Sequence, residues 1–174
     1  LNVLVIDGQS LVQDTIKSAF LELGIENVRC AQNAFYALRL CEHISFDIIL
    51  VAFDVRSDKD GFNLLEEMRF KGYIAKTTSV VFLSADTSAE LVNCVIELQP
   101  DDFWVKPLDK SRVAQRINYI LKVKSQLYRL NYCFDQEEYP SAIYLAQRQL
   151  QDASLAQYYP QINRLIGRCL FNLQ

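Results

Sequence analysis

The composition of this 174-residue chain is that of a folded globular protein, since 51% of its residues are hydrophobic and 22% are charged. The length suffices for one well-buried domain and a smaller appendage. A formal net charge of −3 leaves no overall positive field to hold a phosphate backbone, so nucleic acid is not expected as a direct ligand. No apolar run reaches the ~18 residues of a membrane-spanning helix, so no membrane association is expected.

Five cysteines and one histidine restrict the chemistry that the side chains can carry. The cysteines are odd in number, widely scattered and never in C-x-x-C spacing, which argues against a disulfide framework and against a zinc site. We therefore expect buried apolar thiols in a reducing cytoplasm. The single histidine, His43, makes histidine-based metal sites and catalytic triads hard to build.

Short apolar runs alternate with segments of helical periodicity over the first 120 or so residues. The predicted strands are 1–7, 28–31, 47–53, 79–85 and 102–105. The predicted helices run from Ser10 to a C-cap at Gly24 and over 34–44, 61–71, 88–98 and 110–122. The fourth strand barely alternates in polarity, which is typical of a strand buried on both faces.

Five strand–helix alternations predict an α/β domain with a five-stranded parallel sheet wound on both faces, because each right-handed crossover requires a helix. In such sheets the functional site lies beyond the carboxyl ends of the strands. Those ends carry Asp7, the 52–54 region, Ser84 and Lys106, so the candidate site residues converge on one edge of the sheet.

This set of motifs resembles the receiver domain of bacterial two-component response regulators over roughly residues 1–122. The matching segments are VLVIDGQ, DGFNLLEEMR, VVFLSA and DDFWVKP. The resemblance implies a flavodoxin-like fold with strand order 2-1-3-4-5 and a cytoplasmic location. It also implies phosphoryl transfer from a histidine kinase to an aspartate that ends the third strand. In that chemistry Mg²⁺, a hydroxyl and a lysine ammonium neutralise the developing charge.

Carried over position by position, the resemblance leaves the metal and phosphoryl centre incomplete. Asp7 matches the first member of the acidic pair that holds Mg²⁺, but the second position is Gly8. The acceptor position, five residues beyond Asp47, falls on Ala52, which has no carboxylate. Asp54 lies about 6 to 7 Å further along the strand, too far to replace it without rearrangement. We therefore predict a degenerate receiver without a cofactor; the alternative is a phosphoaccepting regulator that uses Asp54 and Mg²⁺.

The other receiver positions are present in the sequence. Ser84 matches the hydroxyl, and Lys106 matches the cation that precedes Pro107, for which a cis linkage is expected. Phe103 matches the aromatic position that rotates inward in switching receivers. The residues leave plainer interpretations open: a structural ion pair between Asp7 and Lys106, a strand-end cap at Ser84, and an ordinary core position at Phe103.

Other function classes receive little support. Segment 56–67 has acids and a glycine at positions of a calcium-binding EF-hand loop, but its first position is Arg56 and a strand precedes it. A nucleotide or flavin carrier would need a glycine-rich phosphate loop, and none of the five glycines has the required spacing. A nucleophile paired with a base is also missing, so the chain is not expected to be an enzyme.

The C-terminal segment, 123–174, is predicted to be wholly helical. Two short antiparallel helices are expected around a turn at 135–139, and a third from 161. The pattern resembles a tetratricopeptide-type repeat, carried by Tyr139, Ala142, Ile143, Leu150 and Gly167. Such repeats cannot bury their apolar face alone, so we expect further repeats to follow and the segment to contact proteins. The expected partners are a histidine kinase, a downstream effector or a second copy in a homodimer; the plainer interpretation is a helical extension.

Overall fold

The computed structural model describes residues 1–54, 60–85 and 88–174, apart from the side chains of Glu90 and Cys94. The chain divides into two compact units, residues 1–120 and 121–174. Part of the segment weighed above as a calcium-binding loop, including Arg56, lies outside the described residues.

The first unit is built on a five-stranded sheet in the order β2-β1-β3-β4-β5, and every neighbouring pair is parallel. The strands are β1 Val3–Ile6, β2 Val28–Ala31, β3 Ile48–Ala52, β4 Ser79–Ser84 and β5 Asp102–Val105. Every residue of β1, β3 and β4 is buried, as expected for central strands covered on both faces. The predicted doubly wound α/β fold and its strand order 2-1-3-4-5 are confirmed.

Helices connect the strands, and short polar side chains begin several of them. Their bounds are α1 Ser10–Glu22, α2 Ala34–His43, α3 Gly61–Phe70, α4 Ala89–Leu98 and α5 Lys110–Asp135. Asn33 accepts a hydrogen bond from the backbone of Tyr36, and Asp60 accepts one from the backbone of Asn63. These N-caps satisfy donors that the first helical turn leaves free, which sets where α2 and α3 begin.

The fifth helix differs from the sequence-based expectation. It was expected to stop at Lys122 and to be followed by a separate helix, but α5 continues without interruption from Lys110 to Asp135. The expected break was wrong because no glycine or proline lies between these residues, and lysine, leucine, arginine and glutamine all favour helix continuation. The division between the two compact units falls inside this helix.

The second unit has its own hydrophobic core. Besides the end of α5 it contains α6 Tyr139–Gln149, a short 3₁₀ helix Ala153–Tyr158 and α7 Tyr159–Asn172. The buried core residues are Leu127, Leu130, Ala142, Ala146, Tyr158, Ile162, Leu165 and Cys169. Pro140 and Pro160 lie in the first turns of α6 and α7, where the missing N–H has no partner to lose. The 3₁₀ helix was not predicted.

The described cysteines are free thiols that differ in burial. Cys41 and Cys169 are buried as predicted, whereas Cys30 and Cys133 are only partly buried. Burial raises the pKa of the Cys41 thiol to about 11. Within the described ranges, no helix is both long and apolar enough to cross a membrane.

Candidate functional site

The register of the sheet brings Asp7 and position 52 together at the carboxyl ends of two neighbouring strands. Ile6 of β1 is paired with Val51 of β3, so the next residues along each strand, Asp7 and Ala52, lie side by side. Ala52 is the last residue of β3 and is 1% exposed. The residue that follows the paired Val51 thus offers a methyl group and no carboxylate.

The hydroxyl and the ammonium come from the other half of the same sheet edge. Ser84 ends β4 and is paired with Val105, the last residue of β5. The backbone N–H of Lys106 then donates to the carbonyl of Ser84 at 2.9 Å, which extends the ladder by one residue. Phe103 is paired with Phe82 within the sheet and is partly buried. The structure thus gathers Asp7, Ser84 and Lys106 at the edge where the sequence analysis expected them.

The Asp7 carboxylate is held by the turn that leads into α1. The backbone N–H of Gln9 donates to its Oδ1 at 2.8 Å, and the side-chain amide of Gln13 donates to the Asp7 carbonyl at 2.6 Å. Sequence reasoning did not identify Gln13, because a bond from the first turns of a helix back to the preceding strand leaves no pattern in the sequence. These contacts fix both the backbone and the carboxylate of Asp7.

Lys106 forms a buried ion pair with Asp7. Its Nζ lies 2.7 Å from Oδ2 of Asp7, and the two side chains are 7% and 1% exposed. Among the residues that the structure describes, Oδ2 has no partner in proper hydrogen-bond geometry, so the contact with Lys106 is one of charge without a directed hydrogen bond. Two charges removed from water stabilise each other only as long as both are present. The Lys106–Pro107 peptide bond is cis.

The end of β3 is also closely packed against the start of α3. The N–H of Gly61 donates to the Phe53 carbonyl at 2.8 Å. A Cβ atom on Gly61 would overlap the carbonyl oxygen of Ala52. Glycine is required here because any side chain would collide with the backbone of β3.

Gly8 and Asp54, the other two positions considered for the acidic centre, are not part of the Asp7–Lys106 ion pair. Gly8 is exposed and has no side chain to offer a metal. Asp54 lies two residues beyond the end of β3 and is exposed. In the described part of the chain no ion pair joins Asp54 to Lys106, whose partner is Asp7.

Among the described residues, the candidate site offers a single buried carboxylate, that of Asp7, to the magnesium ion that receivers use. Mg²⁺ prefers near-octahedral oxygen ligation and is usually held by one or two carboxylates together with water and phosphate oxygens. Among the described residues, no group of three histidine, cysteine or acidic side chains could hold a metal ion. At the candidate site the carboxylate is that of Asp7, and the Lys106 ammonium already neutralises it.

Comparison with known proteins assigns the family. The sequence profile of the response regulator receiver domain matches residues 3–118. The chain is 31% identical over 121 residues to the chemotaxis protein CheY of Treponema pallidum, covering 69% of this chain and 82% of that protein. A receiver domain of a Francisella response regulator is 29% identical, with a TM-score of 0.59 over 70% of this chain and 96% of that one. A response regulator of Clostridium difficile, 23% identical with a TM-score of 0.61 over 70% of this chain and 95% of that one, shares the fold.

The chain belongs to the response regulator receiver family of two-component signalling. Receivers of this family interact with histidine kinases and effectors, so protein partners are the relevant class of ligand. The matched residues end at 118, which leaves the second compact unit outside the family assignment.

Proposed function

We propose that this chain is a degenerate receiver, which accepts no phosphoryl group and transmits a signal through protein contacts in the cytoplasm. The observation that carries the proposal is Ala52, a buried methyl group beside the Asp7–Lys106 ion pair. It lies where the family resemblance calls for the nucleophilic carboxylate.

The chemistry of an aspartyl phosphate supports the proposal. Transfer requires a nucleophilic oxygen and positive charge that is free to stabilise the transferring group. Here the acceptor carboxylate is replaced at Ala52, the second metal-binding acid at Gly8, and the Lys106 ammonium is neutralised by Asp7 at 2.7 Å. Two independent losses therefore affect the same centre.

Phosphoacceptance by Asp54 is the competing function, because this residue is an exposed carboxylate close to the end of β3. Asp54 lies two residues beyond Ala52, in the turn that follows the end of β3. In the described part of the chain the Lys106 ammonium pairs with Asp7 and forms no ion pair with Asp54.

Intact-mass measurement after incubation with acetyl phosphate and Mg²⁺ tests the proposal. We expect no gain of a phosphoryl group by the natural chain. The double variant Gly8→Asp/Ala52→Asp restores both lost carboxylates and is expected to gain one, whereas Gly8→Asp/Ala52→Asn is the matched control and is not. A phosphoryl gain by the natural chain that Asp54→Asn abolishes would establish the competing function.

We further propose that the second unit is a protein-binding module of the tetratricopeptide type. Its support is a separate hydrophobic core shared by the end of α5, by α6, by the short 3₁₀ helix and by α7. Affinity capture with the full-length protein is expected to recover a kinase, an effector or a second copy of the chain. Capture that is unchanged after deletion of residues 136–174 would contradict a binding role for this unit.

A further inference from the structure

Cys133 and Cys169, two of the five cysteines, belong to the same hydrophobic core in the second unit. Cys169 of α7 is one of the buried core residues, with 0% of its surface exposed. Cys133 of α5 is partly buried and packs against that core. Both are free thiols. One core therefore holds two thiols that come from different helices.

Side-chain spacing directs both thiols towards this core. Cys133 follows Leu130, which is 0% exposed, by one helical step of three residues, and Cys169 follows Leu165, which is 3% exposed, by one of four. Residues three or four apart lie on the same side of a helix. The thiols therefore lie on the sides of α5 and α7 that build the core.

The charge of one thiol acts on the other. Burial raises the pKa of Cys169, and the negative charge of a Cys133 thiolate raises that pKa further. Such an effect weakens with separation, so the two sulfur atoms are neighbours within the shared core. A disulfide forms only between neighbouring cysteines, because it needs Cα atoms within about 7 Å of each other.

The two thiols differ in their access to solvent. Cys133 is partly buried and can be reached by a small oxidant, whereas the core encloses Cys169. Reversible thiol oxidation uses this combination, in which an accessible cysteine is oxidised first and a second cysteine beside it resolves the product. Cys41 differs, because burial is the cause that raises its pKa and no second thiol contributes.

We propose that Cys133 and Cys169 form a reversible disulfide when the protein meets hydrogen peroxide. The Cys133 thiol gives two electrons to the peroxide and becomes a sulfenic acid, and one water leaves. The Cys169 sulfur then attacks the sulfenic sulfur: the S–S bond forms, the S–O bond breaks, and the departing hydroxide takes the Cys169 proton as a second water. A dithiol reductant returns both electrons and restores the two thiols.

The disulfide ties α7 to α5 and thereby restrains the second unit. It closes the chain between residues 133 and 169, which removes conformations from the unfolded state and stabilises the folded one. The oxidised second unit is therefore expected to have a higher thermal midpoint than the reduced one. This site is separate from the receiver site and does not depend on whether the receiver accepts phosphate.

Intact-mass measurement of the 174-residue chain before and after treatment with hydrogen peroxide tests the proposal. We expect a loss of about 2 Da, the mass of two thiol hydrogens, and its recovery with dithiothreitol. Peptide mapping without reductant is expected to show Cys133 linked to Cys169. Cys133→Ser is expected to remove the loss, whereas Cys30→Ser, which changes another partly buried thiol, is the matched control and keeps it.

Circular dichroism and thermal unfolding separate the disulfide from an effect on folding. Cys133→Ser is expected to keep the natural circular dichroism spectrum, because its side chain is only partly buried. Peroxide is expected to raise the thermal midpoint of the natural chain and not that of Cys133→Ser. An unchanged mass of the natural chain, a mass loss that persists in Cys133→Ser, or a disulfide that joins other cysteines or two chains would each overturn the proposal.

Discussion

Removal of the Lys106 ammonium, in the variant Lys106→Met, would leave the Asp7 carboxylate buried without its counter-charge. Asp7 is 1% exposed and Lys106 is 7% exposed, so water cannot take over the role of the ammonium. Breaking a buried pair in this way costs about 3 to 5 kcal/mol, a large part of the ~5 to 15 kcal/mol by which a domain is stable. We expect a loss of unfolding free energy of this size in the first unit.

The double variant Asp7→Asn/Lys106→Met distinguishes the cost of an unpaired charge from the cost of lost packing. Because it removes both charges, we expect it to recover most of the stability that the single variant loses. Urea unfolding can be followed by the fluorescence of Trp104, the single tryptophan, which is buried in β5.

An exposed ion pair provides the matched control. Lys71 pairs with Glu67 at 2.9 Å, but its side chain is 44% exposed, so Lys71→Met is expected to leave the unfolding midpoint unchanged. The reasoning would be refuted if Lys106→Met cost less than about 1 kcal/mol, the typical upper value for an exposed pair. It would also be refuted if the double variant lost as much unfolding free energy as Asp7→Asn and Lys106→Met lose together as single variants.

Three further predictions concern close packing and burial. Gly61→Ala is expected to destabilise the first unit by at least about 1 to 3 kcal/mol, because its Cβ would meet the Ala52 carbonyl; an unchanged urea midpoint would contradict the contact. Gly167→Ala is expected to raise the thermal midpoint, since alanine favours a helix interior by about 1 kcal/mol and nothing obstructs the Cβ; a lowered midpoint would contradict the open space. Burial raises the Cys41 pKa to about 11, so the folded state holds this proton more tightly and stability should fall as pH rises through that value. Iodoacetamide at pH 8, followed by peptide mass spectrometry, is expected to label Cys41 much more slowly in the folded protein than in urea, and equal rates would contradict its burial.

Local sequence patterns were sufficient to predict the parallel sheet and its flanking helices. Central strands buried on both faces must be almost continuously apolar, and this property is visible in 48–52 and 79–84 without any knowledge of the neighbours. That positions 8 and 52 carry no carboxylate is also visible in the sequence, because it depends only on which side chain occupies each position.

Continuity of α5 could have been predicted from the sequence but was missed. The break expected at Lys122 rested on a change in character between the two halves of the chain, although no residue there ends a helix. A boundary between compact units does not have to coincide with the end of a helix, and here it falls between Ile120 and Leu121, inside α5.

The amino-acid sequence by itself determined the five strands, the helices that connect them and their order, and it shows that Gly8 and Ala52 carry no carboxylate, since each of these depends on local composition or spacing. Only the tertiary structure decided that the side chains of Asp7 and Lys106 approach to 2.7 Å. It also decided that Gly61 lies so close to the Ala52 carbonyl that no Cβ atom fits between them, and that Leu170 and Phe171 of α7 are exposed. Such contacts join residues far apart in the chain, and their distances follow from sheet register and helix packing, which no local pattern encodes.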